Sequence, residues 1–145
     1  MDERHLAEGW WSPIQTQPLE PQDVEALLRS DLSTDALPVF APPVPESLGE
    51  SLPCAMVERT GGTRLNPVMD AHYVTVCVWA RTWAEATAAA NRVAGAVARL
   101  PDAPGASTQW RTAELTSLPY AAPDPNQPSI PRVQLTAALT CRATI

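Results

Sequence analysis

The side chains that most often take part in catalysis or metal binding are scarce in this chain. It contains two histidines, His5 and His72, and three cysteines, Cys54, Cys77 and Cys141. Zinc sites need cysteine or histidine ligands at short spacings, and these residues stand far apart. Because the cysteines fall among apolar residues and are odd in number, we expect buried, reduced thiols. We expect His72 to be a polar residue at the start of a strand.

No segment carries a motif for nucleophilic, phosphate or dinucleotide chemistry. The sequence has no G-x-S-x-G elbow, no phosphate-binding loop and no dinucleotide fingerprint. The pair Gly61-Gly62 has neither the lysine nor the following helix that a phosphate cradle requires. The acidic residues between positions 20 and 35 fit the solvated face of a helix. We therefore expect no catalytic residue, no cofactor and no metal ion, and we interpret the protein as not an enzyme.

The charge of the chain is acidic and unevenly distributed. The net charge is −6, and all ten cationic residues are arginine. Residues 1–60 carry eleven acids and three arginines, a net −8, whereas residues 61–145 carry five acids and seven arginines, a net +2. A DNA or membrane-surface binder needs a basic patch, so the acidity argues against both. Because no apolar run could serve as a signal peptide or span a bilayer, we expect an intracellular product with no membrane partner.

The first forty residues predict an arm, a helix and a short strand. Residues 1–17 look like an N-terminal arm, in which Trp10 and Trp11 need an apolar surface on this subunit or on a neighbour. Over residues 21–32 the apolar side chains recur on one helical face, which predicts the first helix. Residues 37–40 are expected to form a short edge strand.

The middle of the chain predicts two strands separated by a loop. Residues 54–59 have the composition of a strand, and the glycine pair that follows predicts an open loop over residues 60–70. We expect this loop to be mobile in an isolated subunit and to become ordered on assembly. Residues 71–80 are dense in β-branched and aromatic side chains and carry no charge on either face. That pattern predicts a central strand covered on both sides.

The last third of the chain predicts a helix and two strands. Thr82 and Glu85 form a capping box, and Pro101 ends the helix that follows. Its apolar stripe consists of Trp83, Ala86, Ala90, Val93, Val97 and Leu100. Residues 107–118 predict a strand that ends at Pro119. Residues 132–143 alternate between apolar and polar, which predicts a strand with one buried face. That face comprises Val133, Leu135, Ala137, Leu139 and Cys141.

These elements combine into one α+β domain over residues 18–145, preceded by the arm. Strands that follow one another through loops favour a mainly antiparallel sheet, and the helix after Thr82 is expected to pack on one sheet face. Many of the sixteen prolines fall in two groups, residues 38–53 and 119–131. Because proline cannot donate to a helix or a sheet, both groups predict extended connectors.

One run of the sequence has a distinctive order of elements. A Gly-Gly turn after Val57, a strand V-x-V-x-V-W-A at residues 74–80 and an alanine-rich helix up to Leu100 follow one another. A helix at residues 23–28 precedes this run, and Pro123-Asp124-Pro125 comes before the last strand. In this order of features, residues 20–143 resemble the tail terminator (tail completion) proteins of long-tailed bacteriophages and similar products of actinobacterial prophages.

The resemblance implies a structural virion protein at the head-proximal end of a tail. It implies a ring, six-fold in relatives, that ends polymerisation of the tail tube after assembly in the host cytoplasm. The implied partners are other copies of the chain, the tail tube protein and the head-side connector or stopper protein, with DNA passing through the lumen unbound. The alternatives are another neck component (a head-completion or adaptor protein), a host binding module unrelated to phage, and an unrecognised enzyme.

A closed ring needs a heterologous contact, in which two different surfaces of the subunit meet. The acidic first part and the basic second part of the chain offer such surfaces. We expect acids to face arginines across this interface and to set its register, with apolar burial supplying most of the affinity. The candidate interface residues are Asp23, Glu25, Asp31, Asp35, Arg111, Arg132, Arg142, Trp10 and Trp11.

Overall fold

The structure, a computed structural model, describes residues 18–144. Within that range the chain forms one five-stranded sheet and two α-helices. In chain order the elements are α1 (Val24–Leu32), β1 (Val39–Phe40), β2 (Cys54–Asn66), β3 (Met69–Trp79), α2 (Trp83–Arg99), β4 (Trp110–Ala121) and β5 (Arg132–Arg142). The strand order is β1-β2-β3-β5-β4, and every pair is antiparallel except β1 with β2. The predicted α+β fold with a mainly antiparallel sheet is confirmed.

Both helices begin at side-chain caps. The Asp23 carboxylate accepts a hydrogen bond from the Ala26 amide at 3.1 Å, so α1 begins three residues later than the proline at position 21 suggested. The Thr82 hydroxyl accepts from the Glu85 amide at 3.1 Å, as the capping box predicted. Each helix lays its apolar face on the same side of the sheet. The packing predicted for the helix after Thr82 is therefore confirmed.

The apolar stripe of α2 is confirmed except at its first residue. Its buried residues are Ala86, Ala89, Ala90, Val93, Ala94 and Val97, followed by Leu100. Trp83 is instead 45% exposed, so its predicted place in the stripe is wrong. Small side chains on the buried face bring α2 close to the sheet, which leaves no room for an indole beneath its first turn.

The predicted loop over residues 60–70 is also wrong, because β2 and β3 form one long hairpin. β2 continues to Asn66, and Met69 already pairs with it across a turn at Pro67 and Val68. The glycines mark a β-bulge: the register shifts between Arg59 and Gly61, and Gly61 has a φ of +154°. A bulge absorbs the extra residue without ending the strand.

Strand β4 passes through Pro119 instead of ending there. It runs from Trp110 to Ala121, and its pairing with β5 is irregular between Ser117 and Tyr120. β4 lies at the edge of the sheet, where a missing amide donor costs no ladder bond if it faces away from the neighbouring strand. A proline in an edge strand is therefore compatible with continued pairing.

The sheet has one fully covered face and one partly covered face. On the helix side lies the main core, which includes the predicted inward residues of β5, all buried. On the other side a smaller cluster lies under the proline-rich segments: Leu48, Cys54, Met56, Cys77 and Trp79 are buried there, with Phe40, Val44, Leu52 and Ile130 packed against them. β3 is central, as predicted, but it is not covered along its whole length on this second face. Tyr73 is 44% exposed, so the prediction of full cover on both sides is wrong.

Candidate assembly surfaces

The predicted interface acids of α1 and the turn after it differ in their surroundings. Asp23 caps α1, and a Glu25 carboxylate oxygen accepts from the Arg59 amide at 2.8 Å. Asp31 accepts from the Trp110 indole at 2.8 Å and from the amide and hydroxyl of Ser107 at 2.7 and 2.8 Å. Three of the four acids thus hold the subunit together.

Asp35 is the remaining predicted acid, and it is exposed. Its carboxylate has no hydrogen bond or ion pair with another residue in the range 18–144. Within the described residues, nothing occupies the Asp35 carboxylate, so it can bind a partner.

The predicted interface arginines also comprise one side chain that is bonded within the subunit and others that are exposed. Arg132 is half-buried: its guanidinium donates to the Ala122 carbonyl at 2.5 Å, lies 3.9 Å from the Asp124 carboxylate and sits 5.9 Å above the Trp79 ring. Arg111 and Arg142 are exposed and form no ion pair within the described part of the chain. No predicted acid meets a predicted arginine inside the subunit, and Trp10 and Trp11 lie outside the described residues.

The hairpin carries a charged cluster that the sequence reading missed. The Arg59 guanidinium Nε donates to His72 Nδ1 at 2.9 Å, and Arg64 forms a bidentate pair with Asp70 at 2.7 and 2.9 Å. All four residues line a cleft of about 120 Å³. His72 is 1% exposed within β3, so its predicted role at a strand end is wrong. The cluster could have been found only by pairing residues 59–64 with residues 70–72 in a hairpin, and the prediction of a loop over residues 60–70 ruled out that pairing.

The chemistry of this cluster fixes the protonation of His72. Because arginine can only donate, Nδ1 must accept, and the imidazole is neutral with its proton on Nε2. The pKa of His72 is lowered by burial and by the charge of Arg59, and Asp70 only partly opposes this. Nε2 is buried and has no hydrogen-bond partner among residues 18–144. The hydrogen bond from Arg64 in turn holds the pKa of Asp70 below its usual value.

The end of the β2–β3 hairpin is apolar and exposed. We call Leu65, Pro67 and Val68 the hairpin tip; Leu65 is 55% and Val68 50% exposed. The Val68 amide donates to the Asn66 side chain at 2.9 Å, and the Val68 carbonyl accepts from the Ala143 amide at 2.9 Å. The tip is thus held in place by local bonds while its apolar side chains face solvent.

An apolar groove lies between the end of α1 and the middle of α2. We call it the helix groove, and it has a volume of about 200 Å³. Its lining consists of Leu32, Thr34, Ala36, Leu37, Arg92, Val93 and Ala96. Leu32, Leu37 and Val93 are nearly buried and form its floor, while Ala36 and Ala96 leave it open.

The uncovered part of the second sheet face is polar. Hydroxyl pairs join β4 to β5, with Thr112 and Thr140 at 2.7 Å and Thr116 and Thr136 also at 2.7 Å. Cross-strand hydroxyl pairs of this kind stabilise the sheet edge. This face offers hydrogen-bonding groups together with two exposed carboxylates, those of Glu58 and Glu114.

The three cysteines are buried thiols, as predicted. Burial raises the pKa of Cys54 to about 11 and also raises the pKa values of Cys77 and Cys141. Such thiols remain protonated at neutral pH and are poor nucleophiles. Within residues 18–144 no group of three or more His, Cys, Asp or Glu side chains could hold a metal ion. In the same range no helix is both long enough and apolar enough to cross a bilayer.

Comparison with known proteins finds similar chains among solved structures. No known family model matches the sequence, and no curated protein matches it. Among solved structures, the chain is similar to one from the virion of a native gene transfer agent (GTA) particle. The TM-score is 0.49 at 14% sequence identity, over 92% of this chain and 91% of that chain. A likeness of this extent assigns neither a function nor a partner to the protein.

Proposed function

We propose that this protein is a structural virion component whose copies form a ring on the tail of a phage-like particle. The observation that carries the proposal is the run from Val57 to Leu100, on which the sequence resemblance depends. That run folds as a bulged hairpin, a central strand and an alanine-rich helix packed on the sheet. The strand and the alanine-rich helix on which the resemblance depends thus follow one another in one continuous core, and this supports the proposal, while the glycines form a bulge instead of a turn.

The surface of the subunit suits assembly better than catalysis. The described surface includes an apolar hairpin tip, an apolar groove and a polar sheet face. Exposed apolar groups on a small domain favour contact with other proteins. We therefore infer that the protein acts by binding its own copies and its neighbours in the tail, and that it is not an enzyme.

In its finer form the proposal is that the ring caps the tail tube, ends its polymerisation and joins it to the head-side connector. The tail tube protein and the connector or stopper protein would bind opposite faces of the ring. DNA would pass through the lumen without specific binding, which the net charge of −6 favours because an acidic wall repels phosphates. The site of action would be the head-proximal end of the tail, after assembly in the host cytoplasm.

The decisive test combines particle assembly with imaging. We expect the purified full chain to form closed rings in negative-stain images and multimers in light scattering. Loss of the gene from its particle is expected to give tails of uncontrolled length without heads. A ring found only on the head portal, with tails of normal length, would favour the alternative of a head-completion or adaptor protein. A chain that stays monomeric with and without tail tubes would contradict the proposal.

A further inference from the structure

The hairpin tip and the helix groove are two apolar features on one subunit. The groove, at about 200 Å³, can accept one aliphatic side chain, and the tip presents Leu65 and Val68 to solvent. Both features leave apolar surface exposed to water, which is unfavourable until it is covered.

The two features lie at opposite ends of α1. Gln22, just before the helix, donates to the Arg142 carbonyl, and Arg142 pairs with Met69 beside the tip. Leu32, the last residue of the helix, lines the groove. A nine-residue helix is about 13 Å long, so the tip and the groove of one subunit are well separated.

The tip also has little freedom to reach its own groove. The bidentate pair between Arg64 and Asp70 closes the hairpin just below the tip. Strand β5 pairs with β3 along its full length, and the Ala143 amide continues this contact to Val68. The tip of one subunit therefore does not reach the groove of the same subunit.

We propose that the hairpin tip of one subunit inserts into the helix groove of the next, a contact that rests on the ring proposed above. Such a contact is heterologous, because two different surfaces meet, and repetition of it closes a ring if the rotation between subunits is suitable. The occupant of the groove is thus a second copy of this chain.

Charge supports a second copy as the occupant. Asp35 stands on the groove rim between the lining residues Thr34 and Ala36, and it is exposed. Arg142 lies beside the tip and is also exposed. The groove is also lined by the exposed Arg92. Insertion of the tip therefore favours the register in which Arg142 approaches Asp35 of the next subunit and not Arg92. Of the interface acids and arginines predicted from the sequence, Asp35 and Arg142 are the pair that this contact uses.

The test exploits the fact that each subunit contributes one tip and one groove. Val68→Asp places a charge on the tip and leaves the groove intact, whereas Ala96→Phe fills the groove and leaves the tip intact. Leu118→Asp is the matched control, because Leu118 is 71% exposed on β4, away from both features. Light scattering of the purified full chains measures the mass of each species, and thermal unfolding checks that each variant is folded.

We expect Val68→Asp and Ala96→Phe to be monomeric when alone and to form a one-to-one dimer when mixed. That dimer contains the single intact contact that the mixture permits. Leu118→Asp is expected to assemble like the wild type. In a second measurement, a chain carrying both Val68→Cys and Ala36→Cys is expected to form intersubunit disulfides under mild oxidation, since the native thiols are buried.

The contact and the ring function can fail separately. If Val68→Asp and Ala96→Phe both form rings like the wild type, and the cysteine variant does not cross-link, the contact is wrong and the ring stands. If the wild type forms no multimer at any concentration, the ring proposal falls and this contact falls with it. If Val68→Asp or Ala96→Phe does not fold, the cross-linking experiment tests the contact by itself.

Discussion

At the scale of single residues, the most constrained side chain is the neutral His72. Its Nδ1 accepts from Arg59, so a second proton on that atom would oppose both a donor and a cation. The charged groups that face it are Arg59 and Asp70 on the same hairpin. The folded state therefore resists protonation of this imidazole, whereas an unfolded chain does not.

The pH dependence of stability follows from this difference. The unfolded pKa of histidine is about 6.5, and the folded pKa of His72 is lower, so the unfolded state binds the proton first. The contribution of His72 to stability is present above about pH 6.5 and is lost as the pH falls below it. We expect the free energy of unfolding to fall between pH 6.5 and pH 5, by no more than about 1.4 kcal/mol per pH unit.

Denaturant titrations at a series of pH values would measure this slope. His72→Asn keeps an acceptor without the titration and should flatten the curve in this window. His5→Gln is the control, since it removes the other histidine and should leave the slope unchanged. An equal slope in His72→Asn and the wild type would contradict the assignment.

Asp31 illustrates how an acid expected at an interface serves the fold. We expect Asp31→Ala to lower the free energy of unfolding by about 1–3 kcal/mol, because the buried Trp110 indole loses its acceptor along with the Ser107 bonds. Asp35→Ala is the matched control and should change stability by less than about 0.5 kcal/mol. Chemical unfolding at concentrations where the chain is monomeric separates the two. Equal effects would show that the hydrogen bonds of Asp31 contribute little.

At the scale of elements, the hairpin depends on close approach at one glycine. A Cβ built on Gly62 lies 2.5 Å from the Ala71 carbonyl oxygen, and backbone atoms cannot move aside easily. We expect Gly62→Ala to destabilise the protein by about 1–3 kcal/mol. At Gly49 the nearest atom is Ile130 Cδ1 at 3.8 Å, so Gly49→Ala should be tolerated. Thermal unfolding of both variants is the measurement, and a tolerated Gly62→Ala would show that the hairpin relaxes at this point.

The same hairpin shows where the sequence was informative and where it was not. Strand β5 and helix α2 followed directly from their apolar periodicity, because each lays one face on the core. The end of β2 has no such pattern: from Thr60 to Asn66 its side chains are mostly exposed, and the glycines suggested a loop. Its strand character comes from pairing with β3, and the cleft around His72 depends on that pairing. Pairing of this kind is a tertiary effect that local composition does not encode.

At the scale of the whole molecule, the uneven charge can affect association only through the charged groups that are not bonded within the subunit. Asp23, Glu25 and Asp31 are bonded within the subunit, and Arg132 is held by Ala122 and Asp124. A charge reversal at Arg132 would therefore report on folding as well as on assembly. The exposed groups are better probes of association.

We expect Arg142→Glu to weaken subunit association and Asp35→Arg combined with Arg142→Glu to restore it, because the swap recreates an opposite pair. The wild-type association should weaken as salt rises, but only modestly, since an exposed pair contributes about 0–1 kcal/mol. Sedimentation at several salt concentrations measures both effects. Arg81→Glu is the control, because Arg81 is exposed and follows the Trp79 end of β3, at the opposite end of that strand from the tip. If the double variant fails to assemble, Asp35 and Arg142 do not face each other across the interface.

The position of β5 in the sheet has a consequence for how the protein is made. Among the described residues it is the last strand in sequence, yet it lies between β3 and β4 and pairs with both. While the ribosome has not yet released residues 132–142, β3 lacks a neighbour on one side and β4 has none. The core therefore closes only after residues 132–142 have left the ribosome, and a polypeptide that ends before them has no finished sheet. Such fragments would be left to chaperones and proteases.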